Sequence, residues 1–221
     1  MGHLNNLQLF CVFALPVLFA ITLHECAHGW VANKCGDPTA LLQGRLSINP
    51  LHHIDLLGTI LMPLLAIIYG GFIFGWAKPV PVNWNKLRNP RRDTALVAAA
   101  GPIANLLMAV AWAIFGNIGI LAVNYLHEGA IAIVYMGLAG ITVNVCLMVL
   151  NLVPIPPLDG SRIVASFLSP NALRRYYALQ PLGLPILLIL LMSGLLFKVI
   201  GPLYIGLESL IITVFLPLPM S

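Results

Sequence analysis

Charge is what this sequence has least of: eleven basic and seven acidic residues in 221, 8% in all, against 60% hydrophobic residues and a mean hydropathy of +0.96. Such a chain cannot cover itself with a solvated polar surface, which excludes a soluble globular fold and identifies an integral membrane protein. The four cysteines, Cys11, Cys26, Cys35 and Cys146, form no C-x-x-C pair. That indicates neither a cysteine zinc site nor a disulfide framework, and the cysteines read as small buried hydrophobes. The first residues, Met1 to Asn6, carry no positive charge, and no small-residue cleavage site follows the apolar run behind them, so Leu7–Leu23 reads as a retained helix. No polar stretch is long enough to fold by itself, and no internal repeat is visible. A net charge of +4 therefore belongs to membrane loops and gives no reason to expect nucleic acid.

What is present is a series of uncharged runs: Leu7–Leu23, Leu56–Ala77, Thr94–Leu126, Gly129–Leu158, Tyr176–Phe197 and, interrupted by Glu208, Val199–Ser221. Each is close to the length of about 20 residues that crosses a bilayer as a helix. The expectation is an all-α polytopic membrane protein of about five to six transmembrane helices. It would be one domain over 1–221, with a catalytic core over about 7–168 and hydrophobic C-terminal segments over about 176–216 that cross once or twice. The stretch Asn117–Gly129 has neither Lys nor Arg and reads as an external connection. If Leu56–Ala77, which contains Pro63 and Gly70-Gly71, enters the bilayer and returns, ten basic residues share the cytosolic side and only Lys198 lies near the other. If it crosses, the split is eight against three. The re-entrant arrangement obeys the positive-inside bias better.

The reactive residues lie in the apolar part. His24-Glu25-Cys26-Ala27-His28 is an H-E-x-x-H pattern. On a helix, residues i and i+4 share a face, so both imidazoles can hold one ion, and Glu25, about 100° round, can meet a water on it. A carboxylate in an apolar helix costs several kcal/mol unless paired or bound to metal. Two histidines fall one ligand short of the usual three of a catalytic zinc site. Asp159 is the candidate third: it follows Pro154, Pro156 and Pro157, which must break the preceding helix at membrane depth. Asp159 could equally cap a helix over Ser161–Leu168. It can reach the histidines only if both lie at similar depth, as the re-entrant arrangement provides.

Two further features invite a functional reading. Asn105, behind Gly101-Pro102, and Asn151 are intramembrane amides that could hold a substrate backbone or an oxyanion, or could join helices. The stretch Lys78, Pro79, Val80, Pro81, Val82, Asn83 reads as extended and could pair with a substrate strand, or could be a linker. His52 and His53 read as interfacial, while His3 and His127 carry no signal.

These residues, H-E-C-A-H at 24–28, G-P-I-A-N at 101–105 and N-L-V-P-I-P-P-L-D-G at 151–160, resemble in that order the site-2 proteases, intramembrane zinc metalloproteases of regulated intramembrane proteolysis. The motifs span about three fifths of the chain. G-W-A-K-P-V-P-V-N and G-R-L-S-I-N-P-L-H-H-I-D resemble a compact branch of the family that has no PDZ domain. The resemblance implies one zinc ion per chain on His24, His28 and Asp159, Glu25 as general base, and Asn105 and Asn151 as substrate contacts. It also implies transmembrane protein substrates met in the lipid bilayer; the expected location is a prokaryotic cell membrane, where the charge bias of the re-entrant arrangement places the site toward the cytosol. The alternative is a divalent-metal transporter, in which the same His, Glu and Asp would line an ion path. Against it stand the single compact ligand set and the missing repeat. A catalytically silent scaffold would not need the full set of reactive residues.

Overall fold

The computed structural model describes residues 5–53, 55, 78–126 and 128–216. Within them the chain is helical, without a strand. Leu56–Ala77, expected to be re-entrant, lies outside the described residues, as do His3 and His127.

Helix α1, Asn6–Lys34, starts at an Asn5 cap whose side chain accepts from Gln8 N while the Gln8 side chain accepts from Asn5 N, which satisfies two otherwise orphaned donors. It runs eleven residues past the apolar stretch read from the sequence, so the whole H-E-x-x-H pattern is helical. A single turn, α2, Thr39–Leu42, follows. After the 3₁₀ turn Pro50–His53, residues 78–83 form neither helix nor strand and, with Asn83 in the extended region, lead into a second 3₁₀ turn, Trp84–Lys86. The long helix α3, Pro90–Leu126, has 37 residues, or about 55 Å, which exceeds the ~30 Å hydrocarbon layer. Its first turn therefore carries Arg91, Arg92 and Asp93 out of the apolar layer. Because α3 continues to Leu126 and α4, Glu128–Asn151, starts two residues later, the expected connection Asn117–Gly129 is mostly helix.

Beyond α4 the prolines stop the helix. Residues 152–158 are irregular, with a cis bond between Pro156 and Pro157, before α5, Asp159–Phe167. Then come α6, Pro170–Ala178, and α7, Gln180–Met192, bent by 60° across a short break, and finally α8, Leu195–Phe215. Among the described residues, four helices, α1, α3, α4 and α8, are long and apolar enough to cross a membrane, and a fifth span results if α6 and α7 are one broken crossing. The tail 176–216 thus forms two apolar helices, broken near Ser193 and Gly194.

The most extensive helix contact joins α3 to α4. A Cβ on Gly137 would lie 2.6 Å from Gly116 Cα, so the two backbones touch where side chains are absent. Close approach through small residues is how helices associate in lipid, where hydrophobic burial between them drives little. Below that contact Ala109, Ala113, Ile141, Val145 and Val149 pack with Ile211 and Leu216. The cysteines depart from expectation. All four are free, but Cys11 and Cys146 are exposed on their helices and Cys26 and Cys35 are half-buried. In an apolar solvent a thiol has no reason to hide.

Candidate metal centre

His24 and His28 stand one turn apart on α1, buried, with their rings edge to face at 4.7 Å between centroids. Their Nε2 atoms are 3.1 Å apart. Asp159, 131 residues beyond His28, brings Oδ2 to 3.2 Å from each. It occupies the first turn of α5, where Leu158 is the capping position and makes no side-chain capping bond, so the carboxylate is turned to the histidines. The helix-capping role considered for Asp159 is therefore not the one it takes. Among the described residues, these three are the only group that could hold a metal ion.

The hydrogen bonds behind the rings determine what faces the centre. His28 Nδ1 lies 2.7 Å from the Val97 carbonyl oxygen, which can only accept, so Nδ1 carries the proton. His24 Nδ1 lies 2.5 Å from Asn105 Oδ1. The orientation of that amide is fixed in turn: Asn105 Nδ2 donates to Asn144 Oδ1 at 2.9 Å and to the Ala20 carbonyl at 3.3 Å, while Asn144 Nδ2 donates to the Gly140 carbonyl at 2.8 Å. In the neutral form, with Nδ1 carrying the proton, both imidazoles turn Nε2 lone pairs toward Asp159 Oδ2, a buried atom with no hydrogen-bond partner. Three lone pairs at such separations repel, and one proton could serve two of them at most. A cation serves all three. Zinc with ligands at about 2.0–2.2 Å in a tetrahedron would have ligand–ligand edges of about 3.3–3.6 Å, slightly longer than the 3.1–3.2 Å sides of this triangle, and would leave one position open.

Gly101 completes the enclosure. A Cβ there would lie 2.5 Å from His24 Cε1 and His28 Nε2, so α3 can pass the histidines only because this residue has no side chain.

Glu25, half-buried and next to His24 on α1, accepts at Oε2 from Val80 N at 2.7 Å. The segment 78–83 is held at three points by its amides: Lys78 N donates to the His53 carbonyl at 2.9 Å, Val80 N to Glu25, and Asn83 N to Asp37 Oδ2 at 2.6 Å. Further on, the Arg162 guanidinium lies 4.2 Å from the Trp84 ring centroid and ties this segment to α5. His53 proves buried at 2% exposure, with Nε2 against the Ser47 carbonyl at 2.8 Å, whereas His52 is exposed. His53 thus helps to hold the loop.

Asn105 is fully buried and both ends of its amide are used inside the protein. Asn151 donates from Nδ2 to the Leu147 carbonyl at 3.0 Å, one turn back on α4. Sequence reasoning missed three participants: Asn144, the Val97 carbonyl and the Val80 amide. Asn144 could have been found, as an amide in an apolar helix like Asn105. The two backbone groups have no signature in side-chain identity.

Comparison with known proteins agrees with this centre. The model of "Peptidase family M50" matches residues 12–123, half of the chain. "Putative zinc metalloprotease YwhC" of Bacillus subtilis (strain 168) is 34% identical over 197 residues, covering 86% of this chain and 84% of that protein. "Putative zinc metalloprotease Rip2" of Mycolicibacterium smegmatis is 30% identical over 192 residues, covering 86% and 70%. Its namesake in Mycobacterium tuberculosis (strain ATCC 25618 / H37Rv) is 28% identical over 177 residues, covering 80% and 64%. No solved structure matches. With half of the chain under the family model and a relative this similar along most of its length, the chain belongs to peptidase family M50, the site-2 proteases, and is a zinc metalloprotease.

Proposed function

We propose that this protease hydrolyses peptide bonds in or near the transmembrane segments of other membrane proteins, as in regulated intramembrane proteolysis. The observation that carries the reading is the triangle of His24 Nε2, His28 Nε2 and Asp159 Oδ2, assembled from a long apolar helix and from the chain break behind another. A site built into membrane helices suits a substrate that lies in the membrane.

His24, His28 and Asp159 hold the zinc. Zinc so held supplies a Lewis acid for the scissile carbonyl and brings the pKa of a water near 7. Glu25 takes the proton of the attacking water on its carboxylate and returns it to the leaving amine nitrogen. Asn105, in place of the substrate contact anticipated for it, keeps the His24 ring in the tautomer that presents Nε2, and Asn144 orients Asn105. The Val97 carbonyl does the same for His28. Asn151 remains the candidate for contact with the substrate backbone.

A transmembrane substrate must unwind before its carbonyls can react, because in a helix they are hydrogen-bonded. Pairing with residues 78–83 offsets part of that cost. Pro79 and Pro81 have no N–H, so at those residues the substrate must supply the donors. The basic residues of the loops support a site that opens toward the cytosol.

The test is reconstitution of the zinc-loaded protein in liposomes with a reporter of one transmembrane segment between soluble tags, with the cut bond located by mass spectrometry. A cut inside the apolar segment or within a few residues of it is expected. Uncut reporter together with zinc flux across the bilayer would replace the protease with the transporter.

A further inference from the structure

The segment Pro79-Val80-Pro81 contains one N–H in three residues, and that N–H is spent on Glu25. We propose that the Val80 backbone amide is a positioning group for Glu25, holding Oε2 so that Oε1 alone faces the reacting water. The inference rests on the reading of Glu25 as general base.

Four observations converge on it. Val80 N lies 2.7 Å from Glu25 Oε2, a contact between a half-buried carboxylate and a backbone donor 55 residues away. The flanking prolines remove the neighbouring amides from competition and hold Val80 extended, since a residue before proline avoids the helical region. The Val80 side chain is 6% exposed and wedged against α1. A Cβ on Gly29 would lie 2.7 Å from Val80 Cγ1, and Gly29 is one turn after Glu25 on the same face. The segment is fastened on both sides, through Lys78 N on the His53 carbonyl and Asn83 N on Asp37 Oδ2, so the amide cannot follow a wandering carboxylate.

A carboxylate on a long side chain otherwise samples several rotamers, few of which place an oxygen at the water. Fixing one oxygen by a charge-assisted hydrogen bond selects the productive set before substrate arrives. The geometry also separates two roles of the loop. Its one amide between the prolines serves the enzyme's own base and is not available to a paired substrate.

Two measurements on the full-length protein in detergent test this. In the first, hydrogen exchange at the Val80 amide is compared between wild type, Glu25→Gln and Glu25→Ala. Glu25→Gln keeps an acceptor oxygen and retains the protection, whereas Glu25→Ala loses about tenfold or more. Equal protection in all three would overturn the proposal, and this readout needs no substrate. In the second, Val80 is replaced by its α-hydroxy acid through nonsense suppression, which exchanges only the N–H for an ester oxygen. With the transmembrane reporter, kcat falls about tenfold or more while KM and bound zinc stay at the wild-type values. An unchanged kcat overturns the proposal. A raised KM alone assigns the amide to the substrate, and a loss of zinc or of thermal stability assigns it to the fold, and either also overturns it. If the zinc-loaded Glu25→Gln protein cleaves the reporter like wild type, the reading of Glu25 as base fails, whatever the exchange data say.

Discussion

Asn105 Oδ1 lies 2.5 Å from His24 Nδ1, so an amide on α3 decides which nitrogen a histidine on α1 offers to the metal centre. The same amide is held by Asn144 from α4. Three helices therefore cooperate in one tautomer, and both ends of the Asn105 amide are used inside the protein. Outer hydrogen-bond partners of this kind set ligand basicity and ring orientation.

Asn105→Leu should weaken zinc binding by about 10- to 100-fold, the usual effect of losing such a partner. Competition with a chelator of known affinity measures it. Asn144→Leu leaves Asn105 Nδ2 with only the Ala20 carbonyl at 3.3 Å and should cost less. Equal zinc affinity in wild type and Asn105→Leu would contradict the tautomer argument.

Gly101→Ala sets two effects against each other. Helix propensity favours alanine by about 1 kcal/mol. The added methyl, however, would sit 2.5 Å from both His24 Cε1 and His28 Nε2. Since neither ring can retreat without leaving the triangle, the variant should keep its helix content by circular dichroism and lose zinc affinity by about 100-fold or more. Full zinc occupancy at wild-type affinity would show that the rings have room the structure does not give them.

Asp37, just beyond α1 and fully buried, fastens the segment 78–83. Burial pushes its carboxyl up, but donors from the Thr39 hydroxyl, Asn83 N and Thr39 N, with Lys86 nearby, prevail and hold it below its ordinary value of 3.8. A depressed native value means that the ionised form is favoured by folding. This stabilisation is complete above the unfolded value and disappears as pH falls through the native one. In zinc-free protein the melting-temperature gap between wild type and Asp37→Asn should be constant above about pH 5 and shrink below about pH 4. A gap independent of pH would assign the effect of the substitution to something other than charge.

The sequence carried the membrane class, the H-E-x-x-H face and Asp159, because each depends on side-chain identity and spacing. Helix ends were harder to read. Leu7–Leu23 understated α1, which continues from His24 to Lys34 because helical hydrogen bonding persists where charged and polar residues begin. Asn117–Gly129 resembled a connection because it lacks basic residues, yet a helix longer than the bilayer needs no loop there. Asn105 was legible as purposeful but not as a support for His24, since only the fold tells whether an amide faces a ligand's back or a cavity. The part of His53 in holding the loop was not legible, because the partner of its ring is the Ser47 carbonyl, a backbone group.

The most direct test of the central claim pairs wild type with Glu25→Gln, both purified in detergent, with bound zinc and cleavage of the transmembrane reporter measured on the same samples. The account predicts about one zinc per chain in both proteins and cleavage in wild type alone. Cleavage by zinc-loaded Glu25→Gln at the wild-type rate would contradict it.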